Sequence, residues 1–343
     1  MVRLRAANPR RGLPRKRGRF SKPLYETAAS YYARRVQDEF ALIVNPRAGR
    51  RTAVWDESAL RDLLGPLGLT VSVRATRGPG DARRIAREIA GRVRVIGVAG
   101  GDGTVHEVVN GMLPQRTPIV VIPSGSGNDF ASLFGGPVDL RELGELVGAG
   151  RGAELDVLSI AGRFCVNSAG LGFEGIVNRL SHGDSRLGGR TRYAIALLRA
   201  LGSRARFRFE ITTPRGDGIS GEMLLVSIGN GRRTGGAFYL TPGAFPDDGL
   251  IDVCAVESMS RAKMLRILPL SLRGAHVTRS EVRMLRAESV TIEAGAGYPM
   301  HIDGEYLDAP PGRLEIKLLP GALRVLCGDS AAGSLSKGLK KIL

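Results

Sequence analysis

A glycine-rich segment, Gly100–Thr104, has the residue types of a phosphate-binding turn together with a carboxylate. The apolar run Val95–Ala99 ends there, in the sequence GGDGT, and a helical pattern begins directly after it. Glycine lets the backbone approach a ligand closely, and the free N–H groups at a helix start favour phosphate. Asp102 would repel phosphate unless it holds a metal ion or takes up a proton. The segment therefore predicts metal–nucleotide chemistry.

A second apolar run ends in small polar residues at Pro123–Phe130, with the sequence PSGSGNDF. The hydroxyls of Ser124 and Ser126 can bond phosphate or ribose, and a helix is predicted to begin at Asp129. A role restricted to capping that helix is the alternative. Two glycine-rich strand ends that carry Asp102 and Asp129 fit one metal–nucleotide site better than two unrelated turns.

Two further polar turns follow predicted strands. They are Asn45–Gly49, with the sequence NPRAG, and Thr76 with Gly78 and Gly80. Each turn alone is weak evidence for a ligand site, because such turns are common in α/β proteins. The second turn can equally cap a helix. Their shared position at strand ends is what supports a common site.

Carboxylates recur in two turns of the C-terminal half. Pro246–Leu250 (PDDGL) could hold Mg²⁺ through oxygen ligands or be a solvated turn. His301–Glu305 (HIDGE) places two carboxylates around a glycine, with a plain hairpin turn as the alternative. The loop bounded by Asn230–Gly231 and Gly235–Gly236 is interpreted as a surface loop.

The N-terminal half alternates predicted strands and helices. The strands are Phe40–Val44, Leu69–Ala75, Val93–Ala99 and Ile119–Ile122, and the helices include Thr52–Leu64 and Asp81–Ala90. This order predicts an α/β domain with a doubly wound parallel sheet over residues 37–153, with ligands at the carboxyl ends of the strands. The turns described above fall on that edge.

Residues 154–328 contain many short β-rich segments. Strands are predicted at Leu155–Ile160, Phe164–Asn167, Phe207–Thr212, Glu222–Asn230, Leu250–Val256, Ser289–Glu293, His301–Ile302, Leu314–Leu318 and Leu323–Cys327. Helices are predicted at Gly172–Leu180, Arg192–Leu201 and Arg261–Leu272. The pattern predicts a β-rich second domain built as an antiparallel sandwich.

The chain has a formal net charge of +17 and a pI near 10.6, which favours an anionic partner. No run approaches the roughly 18 apolar residues of a membrane-spanning helix, and the N-terminus lacks the apolar region of a signal peptide. We therefore expect a cytoplasmic protein. Residues 1–36 are predicted to be a basic, disordered arm and residues 329–343 a basic amphipathic tail. Cys165, Cys254 and Cys327 are interpreted as buried thiols.

The motifs, taken in order, resemble the diacylglycerol/lipid kinase family, which includes bacterial diacylglycerol kinases and sphingosine-kinase-like enzymes. They are NPRAG (Asn45–Gly49), TRGPGDA (Thr76–Ala82), GGDGTVHEVVNG (Gly100–Gly111), PSGSGNDFA (Pro123–Ala131), DDGLID (Asp247–Asp252) and DGE (Asp303–Glu305). The resemblance covers residues Phe40 to Cys327. A GGDG turn alone would be less specific, because phosphofructokinases and NAD kinases share a similar turn.

The resemblance implies a set of site residues. Those it assigns to ATP binding are Asn45, Pro46, Arg47, Ala48, Gly49, Thr76, Gly100, Gly101, Asp102, Gly103, Thr104, Val105, His106 and Ser126. Glu305 takes the position of the family's proton acceptor, and Asp102 and Asp129 match acidic positions needed for activity. Asp248 matches a Mg²⁺-binding position, with the carbonyls of Phe245 and Leu250 as co-ligands.

The expected function is thus ATP- and Mg²⁺-dependent transfer of a γ-phosphoryl group to the hydroxyl of a diacylglycerol or sphingoid-type lipid. Residues 37–153 would bind the nucleotide and residues 154–328 the lipid. We expect peripheral binding to an anionic inner membrane face, and the resemblance leaves a homodimer open. One alternative is an NAD kinase-like or other small-molecule kinase with the same GGDG site. A second alternative is a nucleic-acid-binding protein, which the positive charge alone suggests. Aromatic residues, on which bases stack, make up only 5% of the chain, so we expect no nucleic-acid partner.

Overall fold

The computed structural model describes residues 37–49, 56–134, 139–182, 189–203 and 206–328. The predicted basic arm and amphipathic tail lie outside the described residues, as do the first residues of the helix predicted from Thr52. We number strands and helices in chain order within the described ranges.

The N-terminal lobe is a parallel sheet with helices on both faces. Its strands are β1 (Gln37–Val44), β2 (Thr70–Ala75), β3 (Val93–Gly100) and β4 (Ile119–Pro123), in the order β2-β1-β3-β4. Its helices are α1 (Glu57–Leu64), α2 (Asp81–Ile89), α3 (Asp102–Met112) and α4 (Leu140–Ala149). The predicted doubly wound sheet is confirmed.

Strand β1 shows why this sheet needs helices on both sides. Ala41 and Ile43 pack in the core cluster that contains apolar residues of α2 and α3, whereas Phe40 and Leu42 pack in the one that contains residues of α1 and α4. Successive side chains of a strand point to opposite faces, so a strand covered on both faces is a continuous apolar run. The parallel strand order then brings the carboxyl ends of β1, β3 and β4 to one edge.

The C-terminal lobe is built from antiparallel strands and confirms the predicted β-rich sandwich. The strands are β5 (Gly152–Ile160), β6 (Arg163–Cys165), β7 (Ser168–Gly172), β8 (Phe207–Thr212), β9 (Gly218–Gly229), β10 (Ile251–Glu257), β11 (Val282–Ala287), β12 (Ser289–Ala294), β13 (Tyr298–Ile302), β14 (Glu305–Ala309) and β15 (Gly312–Leu326). The strand order is β14-β13-β7-β9-β8-β12-β15, and β10 pairs with β9 and β11. Helices α5 (Phe173–Ser181), α6 (Gly189–Ala200) and α7 (Arg261–Ser271) complete the lobe.

The long strand β15 joins the two lobes. It pairs with β12 and β5 in antiparallel fashion, and Val325 pairs with Ile119 of β4 in parallel. Leu155 and Val157 of β5 pack in the N-terminal core, so the predicted boundary between residues 153 and 154 falls inside this shared strand pair. Hydrogen bonding therefore runs without a break from one lobe to the other.

Three local predictions differ from the structure. The helix predicted from Asp129 is a single 3₁₀ turn, Ala131–Phe134, and the two last predicted strands are one strand, β15. Strands β7, β11 and β14 were not predicted, because their short and mixed-polarity sequences carry little periodic signal. The three cysteines are buried, as predicted. Within the described residues, no helix is long and apolar enough to cross a membrane.

Candidate active site

The two glycine-rich turns meet, backbone against backbone, at the carboxyl edge of the parallel sheet. Strands β3 and β4 are neighbours, so Gly101 and Gly125 follow adjacent strand ends. A Cβ atom placed on Gly125 would lie 2.6 Å from the Gly101 Cα. A larger residue at Gly125 would therefore push the two turns apart, and glycine lets them approach.

A cavity of about 400 Å³, which we call the strand-end pocket, opens at this edge. Asn45 and Thr76 line it from the turns after β1 and β2, and Gly103 and Thr104 line it from the start of α3. Asn45 Nδ2 donates to Thr104 Oγ1 at 3.1 Å, which fixes the first turn against the helix. This pocket collects half of the residues that the resemblance assigns to ATP, including Arg47, Ala48 and Gly101.

A second cavity of about 390 Å³, the interlobe pocket, is lined by residues of both lobes. The N-terminal lobe contributes Asp102, Ser126 and Asp129. Ser126 is predicted to contact ATP together with Asn45 and Thr76. It lines the interlobe pocket, however, whereas those two residues line the strand-end pocket. The two pockets share Gly101, Gly103, His182 and Glu305, so they meet at the start of α3.

Glu305 lies at this junction. A Cβ atom placed on Gly103 would be 3.4 Å from Glu305 Oε1, so the carboxylate packs directly against the first turn of α3. Glu305 is the first residue of β14, after a two-residue hairpin turn in which Asp303 has φ 49° and Gly304 has φ 87°. Positive φ at both positions is typical of the tight hairpin turn that Asp-Gly sequences form. The HIDGE motif is thus a hairpin turn, and that turn brings Glu305 to the N-terminal lobe.

The turn is fixed by the buried carboxylate of Asp303. It accepts hydrogen bonds from the N–H groups of Val166, Asn167 and Ser168, and His106 Nδ1 lies 3.0 Å away. Burial alone would raise the pKa of Asp303, but the hydrogen bond and charge of His106, with the backbone N–H groups, lower it overall. The carboxylate is therefore held in its charged form.

Several residues that the resemblance assigns to ATP binding make contacts within the protein instead of lining a pocket. The ring of His106 is buried against Asp303, and the side chain of Val105 lies in the hydrophobic core. Any nucleotide contact at these two positions would thus come from the backbone. Gly100 is buried at the end of β3, and Gly49, with φ 73°, lies against the Ser124 carbonyl. Pro46 lies in the turn after β1.

Asp102 and Asp129 form the acidic wall of the interlobe pocket. Asp102 Oδ1 accepts from the Phe130 N–H at 3.1 Å, and Asp129 Oδ2 accepts from the Gly236 N–H at 2.8 Å. A Cβ atom on Gly127 would be 3.0 Å from Asp102 Oδ2 and 4.0 Å from Asp129 Oδ2, so both carboxylates face this glycine. Burial raises the pKa of Asp102 against the opposing effect of its backbone hydrogen bonds. The pair therefore favours a nearby positive charge.

The predicted magnesium residues lie elsewhere. Asp248 Oδ1 accepts from the Leu250 N–H at 3.0 Å, Asp248 Oδ2 pairs with Arg286, and Phe245 is buried. Asp248 is not among the described residues that line either pocket. Asp252 Oδ2 shares Arg286 at 3.1 Å, and burial raises its pKa to about 6. In the described part of the chain, no three His, Cys, Asp or Glu side chains are placed to hold a metal ion together.

Sequence reasoning missed the C-terminal wall of the interlobe pocket. Helix α5 contributes Asn178, α6 contributes Arg192 and Tyr193, and β13 contributes His301, which lies 3.3 Å from Glu174. Asn178, Arg192 and Tyr193 belong to no short motif, and only the three-dimensional fold brings them to Glu305; His301 begins the HIDGE motif, but its contact with Glu174 carries no signal in the sequence. Glu107 was also missed: its carboxylate accepts the free N–H groups at the start of α2.

Two family models match the chain, one over each lobe. Residues 39–160 match the model of the diacylglycerol kinase catalytic domain, and residues 167–327 match the YegS C-terminal NAD kinase beta sandwich-like domain. A diacylglycerol kinase of Mycobacterium tuberculosis is 31% identical over 291 residues, which is 83% of this chain and 93% of the relative.

Two solved structures share the fold. A diacylglycerol kinase from Bacillus anthracis is 24% identical, with a TM-score of 0.65, and the match covers 86% of this chain and 98% of that one. An NAD kinase from Archaeoglobus fulgidus, solved in complex with ATP, is 12% identical, with a TM-score of 0.52, and the match covers 89% of this chain and 100% of that one. At these identities the likeness concerns architecture alone.

The family matches to the α/β lobe and to the β-sandwich lobe place the chain in the lipid-kinase class. The chain belongs to the diacylglycerol kinase family, and it is an ATP-dependent lipid kinase. The catalytic-domain match favours this over the NAD kinase alternative, whose support is the shared architecture.

Proposed function

We propose that ATP binds in the strand-end pocket and that the lipid hydroxyl reaches the junction through the interlobe pocket. The position of Glu305 carries the proposal, because this residue lines both pockets at the start of α3. A γ-phosphoryl group placed at the junction would lie within reach of an acceptor on the other side. Phosphoryl transfer depends mainly on such alignment and on charge neutralisation.

In the proposed reaction, Glu305 accepts the proton of the lipid hydroxyl as its oxygen attacks the γ-phosphorus and ADP leaves. General-base assistance of this kind contributes about 10²–10⁴-fold to a rate. Arg192, which lines the interlobe pocket, offers a positive charge to the transferring group. Asp102 and Asp129 face the same space and would hold the cation that accompanies ATP.

A bound magnesium ion would neutralise phosphate charge near Asp102 and Asp129, and a second would stabilise the turn after Phe245. The carboxylates beside this turn form an acidic cluster, which fits a cation held by oxygen ligands; its members are Asp156, Asp247, Asp248 and Asp252. No residue in the described ranges hydrogen-bonds the buried Oδ1 of Asp247, and burial together with the neighbouring carboxylates Asp248 and Asp156 raises the pKa of Asp247. We propose that Asp248 holds Mg²⁺ with the carbonyls of Phe245 and Leu250. Because Asp248 lines neither pocket, we assign it a supporting role.

The proposed acceptor is a diacylglycerol or a sphingoid-type lipid. The test incubates the protein with radiolabelled ATP, Mg²⁺ and each acceptor in mixed micelles, with NAD as a parallel acceptor. We expect label in a lipid phosphate and none in NADP. Label in NADP alone would refute a lipid acceptor.

We also propose that the protein binds an anionic membrane surface through α6 and α7. Arg261 Nη2 donates to the Gly202 carbonyl, so the two helices adjoin, and both pack on one core cluster. Their outer faces expose Leu198 (67%) and Leu265 (54%). Residues 258–280 contain basic and no acidic side chains. Apolar and basic residues together fit an anionic lipid surface, where each cation contributes about 1 kcal/mol.

This face adjoins the interlobe pocket, because Arg192 and Tyr193 of α6 line that pocket. A lipid leaving the bilayer beside α6 would therefore have a short path to Glu305. The inner membrane face is the proposed location.

A homodimer is also proposed. Sedimentation of the purified protein across a range of concentrations tests it, and a constant monomer mass would refute it.

A further inference from the structure

A third cavity, of about 250 Å³, is lined mainly by the loop between β9 and β10; we call it the arginine pocket. Arg232 and Arg233 line it together with the aromatic residues Tyr239 and Phe245. None of the eight described residues that line it is acidic. The pocket thus combines two guanidinium groups with no lining carboxylate, and the proposed phosphoryl transfer does not use it.

Arg232 is a half-buried cation whose partners are an aromatic ring and a backbone carbonyl. Its guanidinium lies 3.8 Å from the centroid of the Phe245 ring, and its Nε donates to the Ala244 carbonyl at 3.2 Å. Within the described ranges, no carboxylate oxygen lies within 4 Å of Arg232. The charge of Asp252 reaches Arg232 only from beyond 4 Å, and that carboxylate already pairs with Arg286. A half-buried guanidinium without a direct carboxylate contact favours the binding of an anion.

Arg233 connects the arginine pocket to the interlobe pocket. Its Nη2 donates to the Gly236 carbonyl, and its Nε lies 3.6 Å from Asp129 Oδ1. The N–H of Gly236 donates to the other oxygen of the same carboxylate. Asp129 and Gly236 both line the interlobe pocket. An anion that attracts Arg233 would therefore change the charge balance at Asp129.

We propose that the arginine pocket binds a phosphate monoester, and that its occupation weakens binding of the lipid acceptor through Arg233 and Asp129. Planar guanidinium groups donate in pairs to phosphate oxygens, and the hydroxyl-bearing residues Ser132 and Tyr239 contribute to the same lining. The ligand is either a soluble phosphate or the headgroup of a phosphorylated lipid, which a lipid kinase produces. The effect on the acceptor rests on the function proposed above, whereas binding to the pocket does not.

Binding is measured by titration calorimetry with the full chain, after the nucleotide site has been saturated with a non-hydrolysable ATP analogue. The soluble probes are inorganic phosphate and glycerol 3-phosphate. The lipid probe is phosphatidylcholine vesicles with and without 10% phosphatidic acid. We expect Arg232→Gln to weaken binding of at least one probe tenfold or more. Arg208→Gln, which removes an exposed charge from β8, should leave that affinity unchanged.

Ser132→Asp provides a second variant, because it adds a carboxylate at an exposed position of the pocket and leaves both arginines in place. It should also weaken binding tenfold or more. The soluble and vesicle probes then decide between the two sources of phosphate. The proposal is overturned if no probe binds, or if Arg232→Gln binds every probe as tightly as the wild type does.

The link to the acceptor is measured in the kinase assay. Saturating probe should raise the KM for the lipid acceptor at least threefold in the wild type and leave it unchanged in Arg232→Gln. An unchanged KM in the wild type would overturn the link. If the protein transfers no phosphate to any lipid, the proposed function fails, while the calorimetric result still decides whether the pocket binds phosphate.

Discussion

His106 Nδ1 lies 3.0 Å from Asp303 Oδ2, so a buried polar contact joins helix α3 of the first lobe to the hairpin turn of the second. Asp303 is two residues before Glu305, and Asn178 Nδ2 donates to the Gly304 carbonyl between them at 2.8 Å. The position of Glu305 over α3 therefore depends on contacts made by its neighbours in the turn.

We predict that His106→Ala lowers kcat by about 10- to 100-fold, because a displaced base aligns poorly with the acceptor. The KM for ATP should change less than twofold, since the ring lines neither pocket. His276→Ala is the control: it removes another buried imidazole, in the C-terminal lobe. That variant should lose stability and keep kcat. Steady-state kinetics would contradict the positioning role if both variants reduced kcat equally.

The lowered pKa of Asp303 predicts a defined pH dependence of stability. A carboxyl group whose pKa is lower in the folded state stabilises the fold above its unfolded pKa of about 3.9, and this stabilisation is lost as pH falls further. We expect Asp303→Asn to reduce the free energy of unfolding by about 3 kcal/mol at pH 7. Urea unfolding should show this difference shrink below pH 4. A difference that stayed constant down to pH 3 would refute the assignment.

The acidic cluster predicts that magnesium stabilises the fold in a pH-dependent way. Burial raises the pKa of Asp252 to about 6, so its charged form becomes populated as pH rises through that value and then destabilises the fold. Mg²⁺ should offset this charge. We expect 5 mM Mg²⁺ to raise the Tm at pH 8 and to have little effect at pH 5. Asp248→Asn should lose the response, and an equal Mg²⁺ effect in that variant would refute the site.

Membrane binding should depend on the exposed leucines of α6 and α7. We predict that Leu265→Glu lowers binding to vesicles of 30% anionic lipid at least fivefold, because it removes an apolar contact and adds a repelled charge. Leu67→Glu is the matched control, since Leu67 is an exposed leucine of the first lobe. Vesicle co-sedimentation that shows equal losses in both variants would refute this face.

The sequence predicts the parallel half of the fold well, because its strands are continuous apolar runs such as Phe40–Val44 that end in glycine turns. The order of the turns also predicts one shared edge. The antiparallel half is harder to predict: β7 and β14 are five residues each, and the pairing of β7 with β13 links distant parts of the chain.

The candidate site divides in the same way. Glu305 and Asp102 lie in recognisable motifs, and the structure brings both to the interlobe pocket. The burial of His106 against Asp303 could not be predicted, because the two residues are 197 positions apart. The place of Asp248 could not be predicted for a similar reason. The DDGLID motif supplies oxygen ligands for a metal ion, but only the fold shows that Asp248 lines neither pocket.

The most direct test of the proposed active site is single-turnover phosphoryl transfer by Glu305→Gln, with Glu315→Gln as the control. Glu315 is an exposed glutamate of β15, so the control makes the same chemical change away from both pockets. We predict that Glu305→Gln slows transfer from ATP to the lipid by about 10²–10⁴-fold, with unchanged ATP affinity and unfolding midpoint. Transfer at the rate of the Glu315→Gln control would contradict the central claim.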